Sequence, residues 1–212
     1  MSAPHMTYFP LAGRAELIRL IAAAGDVEVT ESTEMQAGES KDAYLTPSGT
    51  PILRHGELRM SQSLAIENYI AAISPKFGGL TPQQRAIDQM YGGIKEEILF
   101  NCAKAIFTTR KADPEQASKD VTALLDKWFA ILEAKVPEDG FIQGLGFPTP
   151  ADLALVNITG AYMPFGAAVK HAGYDIAKFP KVMALCDRAA KSDGVAAYLE
   201  KSPYTTANPM NM

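Results

Sequence analysis

A tyrosine stands where a short extended segment meets a loop and a helix. Residues 5–9 have the pattern of a strand, Tyr8 lies near its end, and the amphipathic segment 14–24 begins shortly after the loop. A phenol at the end of a strand can donate its O–H to a group bound above the sheet. Tyrosine is also common as a half-buried strand residue, so a role in packing is the alternative interpretation.

Two other short motifs could bind the backbone and the carboxylate of a peptide-like ligand. Thr50-Pro51 opens a predicted strand, and a cis bond there would expose the N–H and C=O of Thr50 to a bound peptide. Gln62-Ser63 lies between a strand and a helix, where free backbone N–H groups and a serine hydroxyl favour an anion. Ser63 could instead simply cap its helix, and the two roles are compatible.

Composition excludes several classes of function. The 212 residues are 47% hydrophobic and carry a net charge of −4, with no basic run, which argues against nucleic-acid and membrane partners. The start MSAPHMTYF lacks the features of a secretion signal, and a cytoplasmic location is expected. Cys102 and Cys186 lack metal-ligand spacing, so we expect two small buried hydrophobes and no metal site.

The first part of the chain mixes strand and helix patterns. A small α/β layer with a mixed sheet follows from this order. The predicted elements are strand 5–9, helix 14–24, strand 27–30, strands 51–54 and 57–60 joined by a tight His55-Gly56 turn, and helix 63–73.

The remainder of the chain has the helical period alone. Residues 75–82 are rich in Pro and Gly and form the predicted linker between a domain at 1–74 and an all-helical domain at 83–212. Helices are predicted near 83–110, 115–135, 150–170, 178–190 and 194–200. Thr149 and Asp152 have the spacing of a capping box around Pro150, which predicts a structural role for Asp152.

The order and spacing of these motifs resemble the cytosolic glutathione transferases over nearly the whole chain. The segments that carry the resemblance are Tyr8 with Gly13-Arg14-Ala15-Glu16, Thr50-Pro51, SQSLAIENYIA at 61–71, the Thr149–Asp152 cap, and FPKVMALCDRAAKSDGVAAYLEKSP at 179–203. The tyrosine-type, sigma-like classes are the most similar. The resemblance implies a thioredoxin-like glutathione-binding domain at 1–74, a helical domain that bounds a hydrophobic substrate site, and a homodimer.

The same resemblance implies roles for individual residues. Tyr8 would donate its phenolic O–H to the sulfur of glutathione and stabilise the thiolate. Thr50, next to Pro51, would pair with the cysteinyl backbone. Gln62 and Ser63 would hold the γ-glutamyl carboxylate.

Two further charged residues would complete the glutathione site. Arg14 would support the γ-glutamyl region. The family often places an acid from the first helix of the second domain at the γ-glutamyl amine, across the dimer. Glu96 is our candidate for that acid, with Glu97 as the alternative, and both could instead be solvated helix charges.

Other features depart from the family pattern. Sigma-like relatives hold the glycine carboxylate with a Trp and a Lys, whereas this chain offers no Trp there; Lys41 could supply the charge, although Glu39 and Asp42 would oppose an anion. Pro47 stands near the position of the aromatic dimer key of some classes, so a flatter and more polar interface is expected.

The hydrophobic substrate site is the least defined part of the resemblance. Phe9 and Phe107 are predicted to line it, with Tyr162 or Tyr204 as further possibilities and ordinary core packing as the alternative. The expected function is conjugation of glutathione to small apolar electrophiles. Alternatives are a non-catalytic binding or structural relative, and a glutathione-dependent isomerase or peroxidase that uses the same thiolate.

Overall fold

A four-stranded mixed sheet forms the core of the first part of the chain. The computed structural model describes residues 2–47 and 49–209. The strands are β1 (His5–Thr7), β2 (Thr30–Ser32), β3 (Ile52–His55) and β4 (Leu58–Ser61), in the order β2-β1-β3-β4. β1 pairs with β2 in parallel, while β1–β3 and β3–β4 are antiparallel. The predicted mixed sheet is confirmed.

Helices cover the sheet and make up most of the remaining chain. They are α1 (Glu16–Ala24), α2 (Ser63–Ile73), α3 (Pro82–Lys104), α4 (Arg110–Ala112), α5 (Pro114–Lys135), α6 (Pro150–Gly160), α7 (Ala167–Ala172), α8 (Pro180–Ala190) and α9 (Val195–Lys201). Short 3₁₀ turns occupy Gly13–Ala15, Lys41–Tyr44 and Ile176–Lys178, and π turns occupy Ala105–Thr109 and Tyr162–Gly166. The fold class predicted from the sequence, an α/β region followed by a helical region, is confirmed.

α6 is the central helix of the helical region. Its residues 150–158 are all buried, and it packs against α1, α3 and α8. A helix that is apolar on all sides must be enclosed in this way, because it has no face to present to water. α1 also packs on α2, so it joins the sheet layer to the helical region.

The segment between α2 and α3 is irregular but well packed. Ser74 Oγ donates to the carbonyl of Gly25 at 2.7 Å and accepts the N–H groups of Lys76 and Phe77, both at 3.1 Å. Phe77 is fully buried. The placement of a domain boundary at 75–82 stays a prediction.

The strand and turn positions differ from the sequence expectation in two places. β2 begins at Thr30, where the predicted strand ends, because the N–H of Thr30 bonds to the carbonyl of Pro4 and fixes the pairing with β1. The hairpin turn lies at Gly56 and Glu57, one residue later than predicted, with Gly56 at φ 58°. Glycine adopts this left-handed conformation at no steric cost.

The helix predicted at 150–170 is interrupted. α6 ends at Gly160, and Met163 has φ −104° and ψ 130°, well outside the helical region. Pro164 explains the break, because proline lacks an N–H and disfavours the helical conformation in the residue before it. By contrast, α2 has the predicted bounds of 63–73.

Within the described residues, no helix combines the length and the apolar character that crossing a membrane requires.

The capping box predicted at Thr149 is confirmed, and its acid has a second function. Asp152 is fully buried, and its carboxylate accepts the N–H of Thr149 at 2.8 Å and the N–H of Ile142 at 2.8 Å. The second bond attaches the loop before α6 to the start of the helix. α3 begins with an equivalent box, Thr81 and Gln84, at the surface.

Asp152→Ala is expected to lower the free energy of unfolding by about 2–4 kcal/mol, because it leaves the buried N–H of Thr149 and the half-buried N–H of Ile142 without acceptors. The matched control is Gln84→Ala, which removes the equivalent residue of the exposed box and should cost less than about 1 kcal/mol. Urea denaturation followed by circular dichroism measures both. Equal losses in the two variants would contradict the role assigned to Asp152.

Candidate functional site

A cleft of ≈ 270 Å³ lies where the sheet meets the helical region. Its lining combines the two motifs predicted to bind a peptide-like ligand with charged residues from elsewhere in the chain. The lining residues are Arg14, Thr46, Gly49, Thr50, Pro51, Ser61, Gln62, Ser63, Leu64 and Glu96. Six residues predicted from the sequence therefore meet in one cleft, and Thr46, Gly49, Ser61 and Leu64 are additions that the sequence did not suggest.

Backbone conformation shapes one wall of this cleft. The Thr50-Pro51 bond is cis, as the sequence interpretation required, and Pro51 directly precedes β3. Gln62 has φ 71° and ψ 112° and precedes the first residue of α2. The N–H groups of the first turn of α2, which have no partners within the helix, therefore begin at the cleft next to Ser63.

Tyr8 lies next to this cleft and is not part of its lining. Its side chain is buried, and the backbone N–H of Arg14 donates to its hydroxyl oxygen at 3.0 Å. Burial raises the pKa of the Tyr8 phenol, and the Arg14 N–H opposes that rise only in part. The phenol is therefore neutral at pH 7, and its own hydrogen stays available because the N–H occupies a lone pair of the oxygen.

Gly13 makes room for that hydroxyl. It has φ +48°, and a Cβ built on it would collide with the Tyr8 oxygen. Both observations require glycine at this position. The loop between β1 and α1 thus fixes the phenol from two sides, with Gly13 beside the oxygen and the N–H of Arg14 bonded to it.

Glu96 is the acidic residue of the cleft. One of its oxygens contacts Nε of Arg14, and the other accepts from Ser63 Oγ at 3.2 Å and lies 3.4 Å from Lys95 Nζ. Burial alone would raise the pKa of the Glu96 carboxyl, but Lys95, Arg14 and Ser63 together hold it below its usual range. Glu96 is therefore ionised at neutral pH.

Lys95 and Glu67 form a buried ion pair directly behind Glu96. Lys95 is fully buried, and its ammonium lies 2.6 Å from Glu67 Oε1. Sequence reasoning missed both residues. A signal was present, because Glu67 follows Ser63 by one helical turn and Lys95 is the neighbour of Glu96.

The remaining charged candidates lie outside the lining of this cleft. Lys41 is exposed in the 3₁₀ turn before Leu45. Glu39 lies 3.5 Å from Arg59. Glu97 accepts from the indole N–H of Trp128 at 3.0 Å on the outer side of α3. The structure thus brings Glu96, rather than Glu97, to the cleft of its own chain. Which of the two acids reaches across a dimer, and the role of Lys41, stay predictions.

The aromatic candidates for an apolar site are dispersed. Phe9 is 57% exposed, with its ring centroid 5.6 Å from that of Tyr8. Phe107 is half buried in the π turn after α3. Tyr204 lies against the guanidinium of Arg19, 3.8 Å from the ring centroid, which indicates packing. Of these aromatic residues, Phe9 lies beside Tyr8 and also offers an open apolar surface.

The two cysteines are free thiols in the interior, as predicted. Burial raises the pKa of Cys102 to about 12 and that of Cys186 to about 11. Because the thiolate is the reactive form, neither residue is a nucleophile at neutral pH.

Comparison with known proteins finds relatives that match nearly the whole length of this chain. A Dictyostelium discoideum protein with a provisional glutathione S-transferase alpha-2 name is 28% identical over 207 residues, which cover 96% of this chain and 97% of that protein. A chicken (Gallus gallus) protein named Hematopoietic prostaglandin D synthase is 27% identical over 204 residues, 94% of this chain and 96% of that one. No protein-family model matches the sequence.

Solved structures agree with these relatives. A Caenorhabditis elegans glutathione S-transferase superposes with a TM-score of 0.72 at 26% identity and covers 96% of this chain and 100% of that one. The glutathione transferase fold is thereby confirmed. The expectation of an enzyme is confirmed as well, because several of the relatives are named glutathione S-transferases.

Gly13→Ala is expected to lower the free energy of unfolding by about 1–3 kcal/mol, because the new methyl group strains the backbone and displaces the Tyr8 hydroxyl. The matched control is Gly93→Ala in α3, where a Cβ meets open space. That change should stabilise the protein by about 0.5–1 kcal/mol through helix propensity. Thermal unfolding compares the two. A Gly13→Ala variant as stable as the wild type would show that the loop tolerates a side chain there.

Proposed function

We propose that this chain, which has the fold of the glutathione transferases and resembles them along nearly its whole length, is a glutathione transferase in which Tyr8 stabilises the thiolate of bound glutathione. One observation carries the proposal. The backbone N–H of Arg14 holds the Tyr8 hydroxyl oxygen, while the same residue's side chain lines the cleft. The phenol is thereby positioned beside a site whose groups match a peptide-like ligand.

The chemistry follows from the protonation states of the phenol and the thiol. A free thiol has a pKa near 8.5 and is mostly protonated at pH 7, although only the thiolate is a strong nucleophile. The Tyr8 phenol has a raised pKa and stays protonated. It can therefore donate a hydrogen bond to a thiolate, but it cannot act as the base that deprotonates the thiol. Each unit by which that bond lowers the thiol pKa corresponds to about 1.36 kcal/mol.

We propose a partner in or beside the cleft for most parts of glutathione. The first turn of α2, with Gln62 and Ser63, offers N–H groups and a hydroxyl to the γ-glutamyl carboxylate. Thr50, held by the cis bond to Pro51, presents its backbone to the cysteinyl residue. For the γ-glutamyl ammonium we propose an acid from the same helix of the partner subunit, with Glu96 as the candidate; within one chain the Glu96 carboxylate is bonded to Arg14.

Among the described residues that line the cleft, the cation is Arg14, which belongs to the γ-glutamyl end of the proposed ligand and not to its glycine end. Thr46 and Gly49 line the cleft beside Thr50, and Thr46 Oγ1 accepts the N–H of Gly49 at 2.9 Å. Lys41, on the turn that precedes this loop, is our proposed partner for the glycine carboxylate. The proposal requires its exposed side chain to fold back toward the loop when the ligand binds.

We place the second substrate, a small apolar electrophile, against Phe9. That side chain is largely exposed next to Tyr8, where an apolar molecule would lie close to the activated sulfur. Phe107 is proposed as a second wall of this site. The assignment to the sigma-like, tyrosine-type group belongs to the same proposal, with detoxification as the corresponding role. A cytoplasmic location stays a prediction.

A homodimer is supported by apolar side chains that the single chain leaves in water. Leu45 is 90% exposed, and Met90 and Phe100, on one side of α3, are each 56% exposed. A contiguous patch of large exposed apolar side chains is typical of surfaces that bind another protein, and the proposed dimer requires these three to form one. Leu45 lies two residues before Pro47, so we propose that this loop contributes one apolar contact, and the flatter, more polar interface expected from the sequence stays a prediction.

A glutathione-dependent isomerase is the second candidate. It is favoured by the relative named Hematopoietic prostaglandin D synthase, and it would use the same thiolate. The fate of glutathione distinguishes the candidates, because a transferase consumes one glutathione per product and an isomerase regenerates it. A non-catalytic relative would show no turnover with either type of substrate.

Tyr8→Phe is expected to lower kcat/KM for conjugation of a generic aromatic electrophile at pH 6.5 by about 10- to 100-fold. Without the phenol, the pKa of the bound thiol rises by about one to two units toward 8.5. At a pH below that pKa, each unit lowers the thiolate fraction about tenfold. The control is Tyr174→Phe, which removes a hydroxyl that donates to Asp126 in the helical region. Unchanged turnover in Tyr8→Phe would refute the role of the phenol.

Leu45→Asp with Phe100→Asp is expected to convert a dimer into a monomer of 22.8 kDa, because a charge at an apolar contact must lose its hydration on association. Ile131→Asp, at another exposed apolar residue, serves as the control on α5. Sedimentation velocity measures the masses. A wild-type chain that sediments as a monomer at micromolar concentration would overturn the proposed homodimer.

A further inference from the structure

A buried guanidinium connects the loop between β1 and α1 with strand β2. Arg19, on α1, is only 4% exposed. Its Nε donates to Glu31 Oε1 at 3.0 Å and its Nη2 donates to Glu31 Oε2 at 2.8 Å, so the two side chains form a bidentate pair. The other terminal nitrogen, Nη1, donates to the carbonyl of Leu11 at 3.0 Å. Leu11 lies in the loop between Tyr8 and Gly13, so the buried charge reaches the segment that surrounds the phenol.

Packing holds the guanidinium in this orientation. The ring of Tyr204 lies against it, with the ring centroid 3.8 Å from Cζ of Arg19. Glu16 Oε2 lies 3.4 Å from Nη1, and the centroid of the Tyr8 ring lies 5.9 Å from Cζ. Arg19 is therefore enclosed by aromatic rings and carboxylates, and it has little freedom to release the carbonyl of Leu11.

The contacts of Arg19 require the shape of a guanidinium as well as its charge. The planar group presents donors in fixed directions, so one side chain holds the Glu31 carboxylate and the Leu11 carbonyl at the same time. A lysine ammonium is a compact charge on a flexible stem, and it cannot form the bidentate pair and the carbonyl bond together.

Stability accounts only in part for these bonds. The desolvation of a buried charge pair costs about as much free energy as the attraction returns. The carbonyl of Leu11 belongs to a half-buried residue in a loop, and loops run over the surface, where water can serve as a donor. The bond from Arg19 therefore adds a fixed position for the loop rather than a partner that its carbonyl would otherwise lack.

We propose that Arg19 is a positioning residue that holds the loop between β1 and α1 so that the Tyr8 hydroxyl keeps its place beside the cleft. The loop is then fixed at two points, at the Leu11 carbonyl by Arg19 and at the Arg14 N–H by the phenol oxygen. Gly13 lies between these points with φ +48° and would allow the loop other paths. The proposal rests on the proposed function, because the position of the phenol matters only if it acts on a bound thiol.

The test is a double-mutant cycle between Arg19→Lys and Tyr8→Phe. Arg19→Lys keeps the charge and loses the guanidinium geometry. Ultraviolet absorbance of the thiolate with saturating glutathione should show the pKa of the bound thiol raised by about 0.5–1 unit, and kcat/KM at pH 6.5 should fall about two- to fivefold. The dissociation constant of glutathione should change less than about twofold, because the bonds of Arg19 lie away from the cleft. In the Tyr8→Phe background, Arg19→Lys should change neither the thiol pKa nor kcat/KM, because Arg19 acts through the phenol.

Tyr198→Phe is the matched control for a general loss of stability. It removes a hydroxyl that donates to Glu16 at 2.9 Å in the same buried cluster, and it leaves the bonds from Arg19 to Leu11 and Glu31 in place. Thermal unfolding should show a lower Tm, whereas the pKa of the bound thiol should remain that of the wild type. A control that raises the thiol pKa as much as Arg19→Lys does would overturn the positioning role.

Glu31→Gln guards against a failure of Arg19→Lys to fold. The amide oxygen of glutamine replaces a bidentate acceptor by a single one, so Arg19 is held less firmly while its bond to Leu11 remains possible. The thiol pKa should rise by a smaller amount, and only where the Tyr8 hydroxyl is present. An unchanged pKa in both folded variants, or an equal rise with and without that hydroxyl, would overturn the positioning role and leave the proposed function intact. A Tyr8→Phe variant whose bound thiol titrates like that of the wild type would overturn both.

Discussion

The hydrogen bond from the Arg14 N–H to the Tyr8 hydroxyl organises the start of this molecule. It connects the end of β1 with the beginning of α1, and it requires the loop between them to bring residue 14 back over the phenol. Gly13 permits that path through its positive φ and its missing side chain. The bond also occupies a lone pair of the phenol oxygen, which leaves the hydroxyl hydrogen available to another acceptor.

The cleft beside this bond depends on how α2 and α3 meet. Their interface carries ionised groups rather than only apolar side chains, and the charges alternate from Glu67 through Lys95 and Glu96 to Arg14. Such an arrangement tolerates little displacement, because any member that loses its partner is left as a buried or half-buried charge. The positions of the two helices and the side chains of the cleft are therefore coupled. A ligand that displaces Glu96 would therefore also affect the packing between the sheet layer and the helical region.

Much of this architecture could be predicted from local sequence. The bounds of α2 and the cap of α6 follow from helix periodicity and capping chemistry, which act over a few residues. β2 was displaced because its position depends on pairing with β1 across the helix between them, which local alternation does not encode. The break before α7 had a visible signal in Pro164, but apolar periodicity on both sides outweighed it in the sequence interpretation.

The site was predictable to the extent that its residues form short motifs. Thr50-Pro51 and Gln62-Ser63 meet in the cleft as their motifs suggested. Lys95 and Glu67 were missed because each is an ordinary helix charge in sequence, and only the packing of α2 on α3 shows that they are buried together. Lys41 and Phe107 illustrate the opposite case, since their proposed roles depend on a loop and an apolar site whose shape the sequence does not define.

In the proposed function, Tyr8 lowers the pKa of the glutathione thiol. Ultraviolet absorbance of the thiolate, followed against pH with glutathione saturating the protein, measures that pKa directly. We expect the bound thiol to titrate about two units below the free value near 8.5, and to return toward that value when the Tyr8 hydroxyl is absent. A bound thiol that titrates like free glutathione in the wild-type protein would contradict this expectation.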